Sequence, residues 1–189
     1  MLKVSSSPSL ADQLQSRIEL RTARVAVVGL GYVGLPLAET FAWAEFPVTG
    51  FDIDPEKVRK LRLGQSYIRH IASQRIVELY RSGRFQATTD PACFDDVDAI
   101  IICVPTPLTE AREPDLSYIT NTGRAIQPHL RPGKLIVLES TTYPGTTPST
   151  TGVYRATASR RLASSKPPTT LGMLRVAKSL LPGSSRSGL

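Results

Sequence analysis

The sequence has few of the residues that metal centres, disulfide frameworks and membrane spans need. Its 189 residues include only two cysteines, Cys93 and Cys103, and two histidines, His70 and His129. Two cysteines build neither a disulfide framework nor a metal cluster, and the distant histidines lack ligand spacing. No run approaches the roughly 18 apolar residues of a membrane helix, and no secretory signal is visible. We therefore expect a cytoplasmic protein with no resident metal ion and no membrane partner.

Acidic residues are absent from one region only. Residues 148–189 contain seven Lys or Arg and no Asp or Glu, whereas residues 1–147 contain sixteen of each sign. The net charge of +7 therefore lies wholly in the last region and gives no reason to expect a nucleic-acid partner. That region also has thirteen Ser or Thr and four Pro. The composition predicts a domain over 1–147 and a disordered, basic low-complexity tail over 148–189.

Strand and helix patterns alternate along the first region after a short leading helix at about 9–20. Compact β-branched or apolar runs predict strands at 24–29, 48–52, 85–88, 98–104 and 134–139. Helical periodicity predicts helices at 35–44, 55–64, 73–81 and 116–130. This alternation is typical of the α/β class and predicts a doubly wound parallel sheet of the Rossmann type.

The sequence GLGYVG, residues 29–34, is a G-x-G-x-x-G motif between a predicted strand and a predicted helix. In that context Gly29 permits a tight turn, Gly31 lets the backbone approach a pyrophosphate, and Gly34 lets the helix pack closely on the strand. The pyrophosphate then lies at the positive N-terminus of the helix. We predict that the motif, including Tyr32 and Val33, binds a dinucleotide; the alternative is a plain glycine turn.

Asp52 ends the second predicted strand, 18 residues after Gly34. An acid about 20 residues after the motif holds the ribose hydroxyls of NAD and repels the extra phosphate of NADP. Asp54 precedes Pro55 and is interpreted as a helix cap. Lys57 is placed near the ribose, although a solvated helix-face lysine is an equally good interpretation.

Two polar loops follow the fourth and fifth predicted strands. CVPTPL occupies residues 103–108, and ESTTYPG occupies residues 139–145. Ligands of doubly wound sheets bind outside the carboxyl ends of the strands, so both loops are expected to border the cofactor, although a structural turn is the simpler reading. Each cysteine is interpreted as a packed small hydrophobe, because Cys93 precedes the fourth strand and Cys103 ends it.

Five stretches together resemble the UDP-glucose/GDP-mannose dehydrogenase family, with the greatest likeness to UDP-N-acetylglucosamine 6-dehydrogenases of polysaccharide biosynthesis. They are GLGYVGLPLA, GFDID, GQSYIRHI, CVPTPLTEAREPDLSYI and LESTTYPGTT, within about residues 18–147. The resemblance implies an NAD-dependent oxidoreductase acting on a UDP-sugar. It implies NAD contacts by Val33, Asp52, Lys57, Thr106 and Thr141, with Thr141 also close to the reacting sugar carbon in a supporting catalytic role.

Enzymes of this family oxidise the sugar's carbon 6 from alcohol to acid with two NAD, through a covalent adduct on a cysteine. The cysteine, its helper residues, the dimerisation helix of these homo-oligomers and the UDP-binding domain follow the first domain in the family. Residues 148–189 resemble none of them, so we expect a truncated or frameshifted chain whose own activity is doubtful. The alternatives are a stand-alone NAD-binding regulatory module and a different Rossmann dehydrogenase. The nucleotide sequence beyond the codon of Thr147 distinguishes them.

Overall fold

Five parallel strands form the centre of the computed structural model, which describes residues 8–108, 110 and 115–140. The strands are β1 (Val25–Val28), β2 (Val48–Phe51), β3 (Phe85–Thr88), β4 (Ala99–Ile102) and β5 (Leu135–Leu138). The helices are α1 (Leu10–Glu19), α2 (Gly34–Trp43), α3 (Pro55–Arg62), α4 (Ser73–Arg81) and α5 (Ser117–Ile126). Short 3₁₀ helices span Pro91–Phe94 and Gln127–His129.

The strand order is β3-β2-β1-β4-β5, which confirms the predicted doubly wound sheet. The chain moves outward from β1 to β3 in one direction and then returns to β4 on the other side of β1. The gap between β1 and β4 is therefore the topological switch point, where such sheets bind ligands.

Apolar side chains alternate between the two faces of the sheet and form two cores. On one face Val25 and Val27 of β1 pack with Leu35 and Phe41 of α2, and the same core reaches α3 and α4. On the other face Ala26 and Val28 pack with the 3₁₀ helix Pro91–Phe94 and with Ile126 of α5. Burial on both faces explains why β1 and β4 read as continuous apolar runs.

Local caps set several helix starts. Ser9 and Asp12 form a reciprocal capping box at α1, and Asp54 caps α3 by accepting from the Glu56 N–H, as its interpretation as a cap requires. Asp90 caps the 3₁₀ helix Pro91–Phe94 in the same way, with Pro91 at its first turn. We did not predict that helix, although the Asp-Pro pair was a usable signal for it.

Most predicted elements are present, but several were predicted too long. The strand at 24–29 is shorter because the Arg24 N–H bonds the Asp98 carboxylate and Gly29 has a φ of +91°. The helix predicted at 116–130 ends at Ile126 and continues as a 3₁₀ turn. Pro128 causes this change, because it has no N–H to donate to a preceding turn.

Some predictions concern residues outside those described. The tail predicted at 148–189, the domain end at Thr147 and the residue Thr141 all lie there, so they stay predictions. None of the helices in the described ranges is long and apolar enough to cross a membrane.

Candidate functional site

The carboxyl ends of four strands meet at one edge of the sheet, here called the carboxyl edge. The register pairs Val28 of β1 with Phe51 of β2 and with Ile102 of β4, and pairs Ile102 with Leu138 of β5. The residues that follow these strand ends are therefore level with one another. They are Gly29, Asp52, Cys103 and Glu139, so the fold brings the predicted motifs together.

The glycine-rich loop, residues 29–34, turns sharply between β1 and α2. A Cβ on Gly29 would lie 2.8 Å from the carbonyl oxygen of Cys103, and its φ of +91° already favours glycine. A Cβ on Gly34 would lie only 1.8 Å from the Gly29 carbonyl oxygen. The two glycines thus let the loop pack against β4 and against itself, as their positions in the motif predict.

Gly31 differs from its neighbours because a Cβ there would have no heavy atom within 4 Å. Among the described residues, moreover, no acceptor bonds the backbone N–H groups of Gly31, Tyr32 or Val33. Unpaired amides at a helix N-terminus form a ready anion site, because they carry the positive end of the helix dipole. The open side of the loop therefore has the chemistry that a pyrophosphate requires.

Asp52 is almost fully buried beside this loop, with 5% of its surface exposed. Its Oδ2 accepts from the Leu30 N–H at 2.8 Å and from Lys57 Nζ at 3.1 Å, and its Oδ1 accepts from the Asp54 N–H at 3.0 Å. A carboxylate has about four acceptor positions, so these contacts leave about one for a ribose hydroxyl. Lys57 pairs with Asp52 while 36% of its side chain stays exposed, so its contact with the cofactor stays a prediction.

The two cysteines are poor nucleophiles in this structure. Burial raises the pKa of the Cys93 thiol to about 12, with Asp90 and Asp95 adding to the effect. Burial also raises the pKa of the Cys103 thiol to about 12, helped by the charge of Glu139. Because a thiol attacks as its thiolate, both remain inert near neutral pH. Their interpretation as packed side chains agrees with this environment.

The loops after β4 and β5 border the same edge. Thr106 lies half-buried in the first loop, and Ser140 in the second donates its hydroxyl to the Val104 carbonyl at 2.7 Å. Glu139 follows β5, and burial raises the pKa of its carboxyl. Among the described residues no hydrogen-bond donor reaches its Oε1. Within the described ranges no group of three metal-ligating side chains is assembled.

Comparison with known proteins shows the family to which this chain belongs. Residues 23–166 match the family described as UDP-glucose/GDP-mannose dehydrogenase, NAD binding domain. The chain belongs to the UDP-glucose/GDP-mannose dehydrogenase family. The matched range runs past Thr147, so the domain boundary there stays a prediction.

Relatives in this family match about two thirds of the chain. An NDP-N-acetyl-D-galactosaminuronic acid dehydrogenase of Ralstonia nicotianae is 42% identical over 131 residues, covering 69% of this chain and 30% of the relative. A UDP-N-acetyl-D-mannosamine dehydrogenase of Escherichia coli K12 is 38% identical over 126 residues, covering 66% and 29%. The chain thus spans about 30% of the length of these relatives.

Solved structures of the family have the same fold. The UDP-D-ManNAc dehydrogenase of Pyrococcus horikoshii superposes with a TM-score of 0.66 at 34% identity, covering 71% of this chain and 33% of that one. A UDP-glucose dehydrogenase of Pyrobaculum islandicum gives a TM-score of 0.65 at 33% identity, with 71% and 32% coverage. The named relatives act on different sugars, so the sugar of this chain stays a prediction.

The residues present fit the NAD of this dehydrogenase family. Three open amides lie before α2 and a buried carboxylate stands at the end of β2, and these are the groups that a pyrophosphate and a ribose hydroxyl require. We did not identify Tyr67 and His70 as site residues from the sequence. Tyr67 donates its hydroxyl to the Leu30 carbonyl at 2.6 Å, and the His70 ring stacks on Tyr32 with centroids 5.8 Å apart. No local sequence signal indicates either contact.

Proposed function

We propose that this chain supplies the NAD-binding part of a nucleotide-sugar 6-dehydrogenase, which oxidises a UDP-N-acetylhexosamine or a related UDP-sugar to its uronic acid. NAD accepts hydride in such oxidations. The observation that carries the proposal is the pairing of the open glycine-rich loop with buried Asp52, joined by the Leu30 N–H. The family membership supports the reaction class.

The residues of the proposed site contact different parts of NAD. The amides of Gly31, Tyr32 and Val33 hold the pyrophosphate, since they have no acceptor among the described residues. Asp52 accepts one ribose hydroxyl, while Lys57 neutralises part of its charge from 3.1 Å. Thr106 borders the nicotinamide side after β4. Thr141, outside the described residues, is proposed for the same side and for a supporting role beside the sugar.

Calorimetry on the full chain tests cofactor binding. We expect NAD to bind more tightly than NADP, because a 2′-phosphate would approach the Asp52 carboxylate. Asp52→Ala removes a charge-assisted hydrogen bond and should weaken NAD binding by about 1.5–3 kcal/mol. Asp98→Ala is the matched control, since Asp98 is equally buried at the opposite edge of the sheet. Equal affinities for NAD and NADP, or no loss with Asp52→Ala, would contradict the proposal.

Turnover by this chain alone is not expected. Oxidation of an alcohol to an acid needs a nucleophile that holds the aldehyde between two hydride transfers. Both thiols of the sequence have a pKa near 12 and cannot serve at neutral pH. The assay follows NADH at 340 nm with UDP-N-acetylglucosamine, UDP-N-acetylgalactosamine and UDP-glucose. Turnover that disappears with Cys93→Ser or Cys103→Ser would show that a thiol has been misassigned.

We also propose a cytoplasmic location. Both cysteines are free in this structure, as a reducing compartment requires. Fractionation of cells that express the full chain tests this location. Recovery of the protein with the periplasmic or membrane fraction would contradict it.

A further inference from the structure

The segment between α3 and α4 lies against the glycine-rich loop and is held by its own contacts with the core. We call residues 65–72 the brace. Its side chains Ile68 and Ile71 are buried in the core, with 3% and 4% of their surface exposed. The Ser66 hydroxyl accepts from the Ile68 N–H at 3.1 Å, and the Ser66 N–H donates to the Ser73 hydroxyl at 3.0 Å. The brace is therefore held in place by contacts within the domain itself.

Tyr67 joins the brace to the glycine-rich loop. Its hydroxyl donates to the Leu30 carbonyl oxygen at 2.6 Å, across 37 positions of sequence. Burial raises the pKa of the Tyr67 phenol, and the carboxylates of Asp52 and Asp54 add to this effect. The phenol therefore stays protonated, and a protonated hydroxyl is the form that can donate this hydrogen bond.

Leu30 is held at its amide, its side chain and its carbonyl. Its N–H donates to Asp52 at 2.8 Å, and its fully buried side chain packs so closely on Gly50 that a Cβ there would lie 2.8 Å away. Tyr67 then holds the carbonyl. The Leu30 carbonyl and the Gly31 N–H belong to one planar peptide unit and point in opposite directions. Fixing the carbonyl therefore fixes the direction of the Gly31 N–H.

His70 makes a second contact between the brace and the loop. Its ring stacks on Tyr32 with centroids 5.8 Å apart and planes inclined by 27°. Tyr32 is otherwise exposed, with 68% of its surface open to solvent. The stack holds the side chain next to two of the unpaired amides, and so limits the motion of the loop where it would bind anion.

We propose that the brace positions the glycine-rich loop for the pyrophosphate of NAD, through the Tyr67 hydroxyl and the His70 ring. This inference rests on the proposed binding of NAD at that loop. Tyr67 and His70 are positioning residues in this account: they act on the peptide units that touch the cofactor. Removing either contact should therefore weaken the binding of ligands that carry a pyrophosphate. The binding of adenosine, which has no phosphate, should not change.

Calorimetry and competition on the full chain test Tyr67→Phe against NAD, ADP and adenosine. We expect NAD and ADP to bind about threefold to tenfold more weakly, as the loss of one neutral hydrogen bond implies, with adenosine unchanged. Tyr80→Phe is the matched control, because Tyr80 is also half-buried but packs edge-on against Phe85 of β3 and does not bond the Leu30 carbonyl. It should bind all three ligands as the wild type does.

His70 supplies a second variant that does not depend on a buried side chain. His70→Ala should weaken NAD binding by about twofold to fivefold. His70→Phe should restore the affinity for NAD because it keeps the ring stack. A His70→Phe variant as weak as His70→Ala would overturn the role of the stack.

The outcomes separate the two proposals. If the wild-type chain does not bind NAD, the proposed function fails and the brace fails with it. If the wild type binds NAD but Tyr67→Phe and His70→Ala bind it equally well, the brace alone is wrong. An equal loss for adenosine and NAD in Tyr67→Phe would also overturn it, since that result describes general unfolding of the site.

Discussion

Asp52 and Asp98 are buried to the same extent, each with 5% of its surface exposed, but they lie at opposite edges of the sheet. Asp98 precedes β4 at the amino edge. It accepts from the Arg24 N–H at 3.0 Å and pairs with Arg17 at 2.5 Å and Arg131 at 3.5 Å. Asp52 also accepts backbone N–H groups, but it has one lysine partner at 3.1 Å.

The surroundings of the two carboxylates explain their different roles. Asp98 ties α1 and the segment before β5 to the sheet through two arginines, so its bonding serves the fold. Asp52 stands beside a loop with three unpaired amides and keeps about one acceptor position. Burial of a carboxylate therefore does not identify a functional site. The proposed site differs by the unpaired backbone amides that lie beside its carboxylate.

Gly34→Ala should have the largest effect on stability. It tests how much the packing at the carboxyl edge contributes to the fold. The new Cβ would lie 1.8 Å from the Gly29 carbonyl oxygen, so the backbone must move. We expect a loss of about 3 kcal/mol or more in the free energy of unfolding, and no NAD binding. Urea denaturation and calorimetry measure both. A stable variant that still binds NAD would contradict the close packing of loop and helix.

Asp98→Ala should come next and act on stability alone. It leaves Arg17 and Arg131 free to rehydrate, because both are about half exposed, but it removes the acceptor of the part-buried Arg24 N–H. We expect a loss of about 2 kcal/mol in unfolding free energy. NAD affinity, measured where the protein is folded, should equal that of the wild type. A change in NAD affinity would contradict the conclusion that Asp98 serves only the fold.

Gly31→Ala should act on NAD binding and leave stability almost unchanged, the reverse of Asp98→Ala. Its Cβ would meet no protein atom within 4 Å, and Gly31 is not among the glycines with positive φ. We expect unchanged or slightly raised stability, by about 0.4–1 kcal/mol, because alanine restricts the unfolded chain. NAD should bind at least about tenfold more weakly, because the methyl group occupies the approach to the pyrophosphate. Undiminished NAD binding would place the cofactor elsewhere.

Glu139→Gln should have the smallest effect and reports on a carboxyl whose Oε1 has no partner among the described residues. Burial raises the pKa of Glu139 in the folded state, so its stabilising effect is present below the unfolded pKa and is lost as pH rises through the folded pKa. The amide should therefore raise Tm by about 1–3 °C at neutral pH, with no gain below about pH 4. Thermal denaturation at both pH values measures this. A gain in Tm that persists at low pH would show that the buried charge of Glu139 is not its cause.

The positions of most helices and strands followed from the sequence, and their ends did not. The helix Ser73–Arg81 and the strand Phe85–Thr88 have the predicted bounds, because apolar periodicity and turn residues are local signals. The strand before Gly29 is shorter than predicted, since a side chain 74 positions away takes the Arg24 N–H. Long-range hydrogen bonds of this kind leave no mark in a local pattern.

The fold class and the outline of the proposed site could be predicted from the sequence alone. Gly29, Gly34 and Asp52 occupy positions where backbone geometry and charge allow few alternatives. The contacts between the brace and the glycine-rich loop became visible only in three dimensions. Tyr67 reaches Leu30, and His70 reaches Tyr32, across a turn of chain that packs back onto the loop. A side chain's partner depends on the three-dimensional path of the chain, and spacing in sequence does not encode that path.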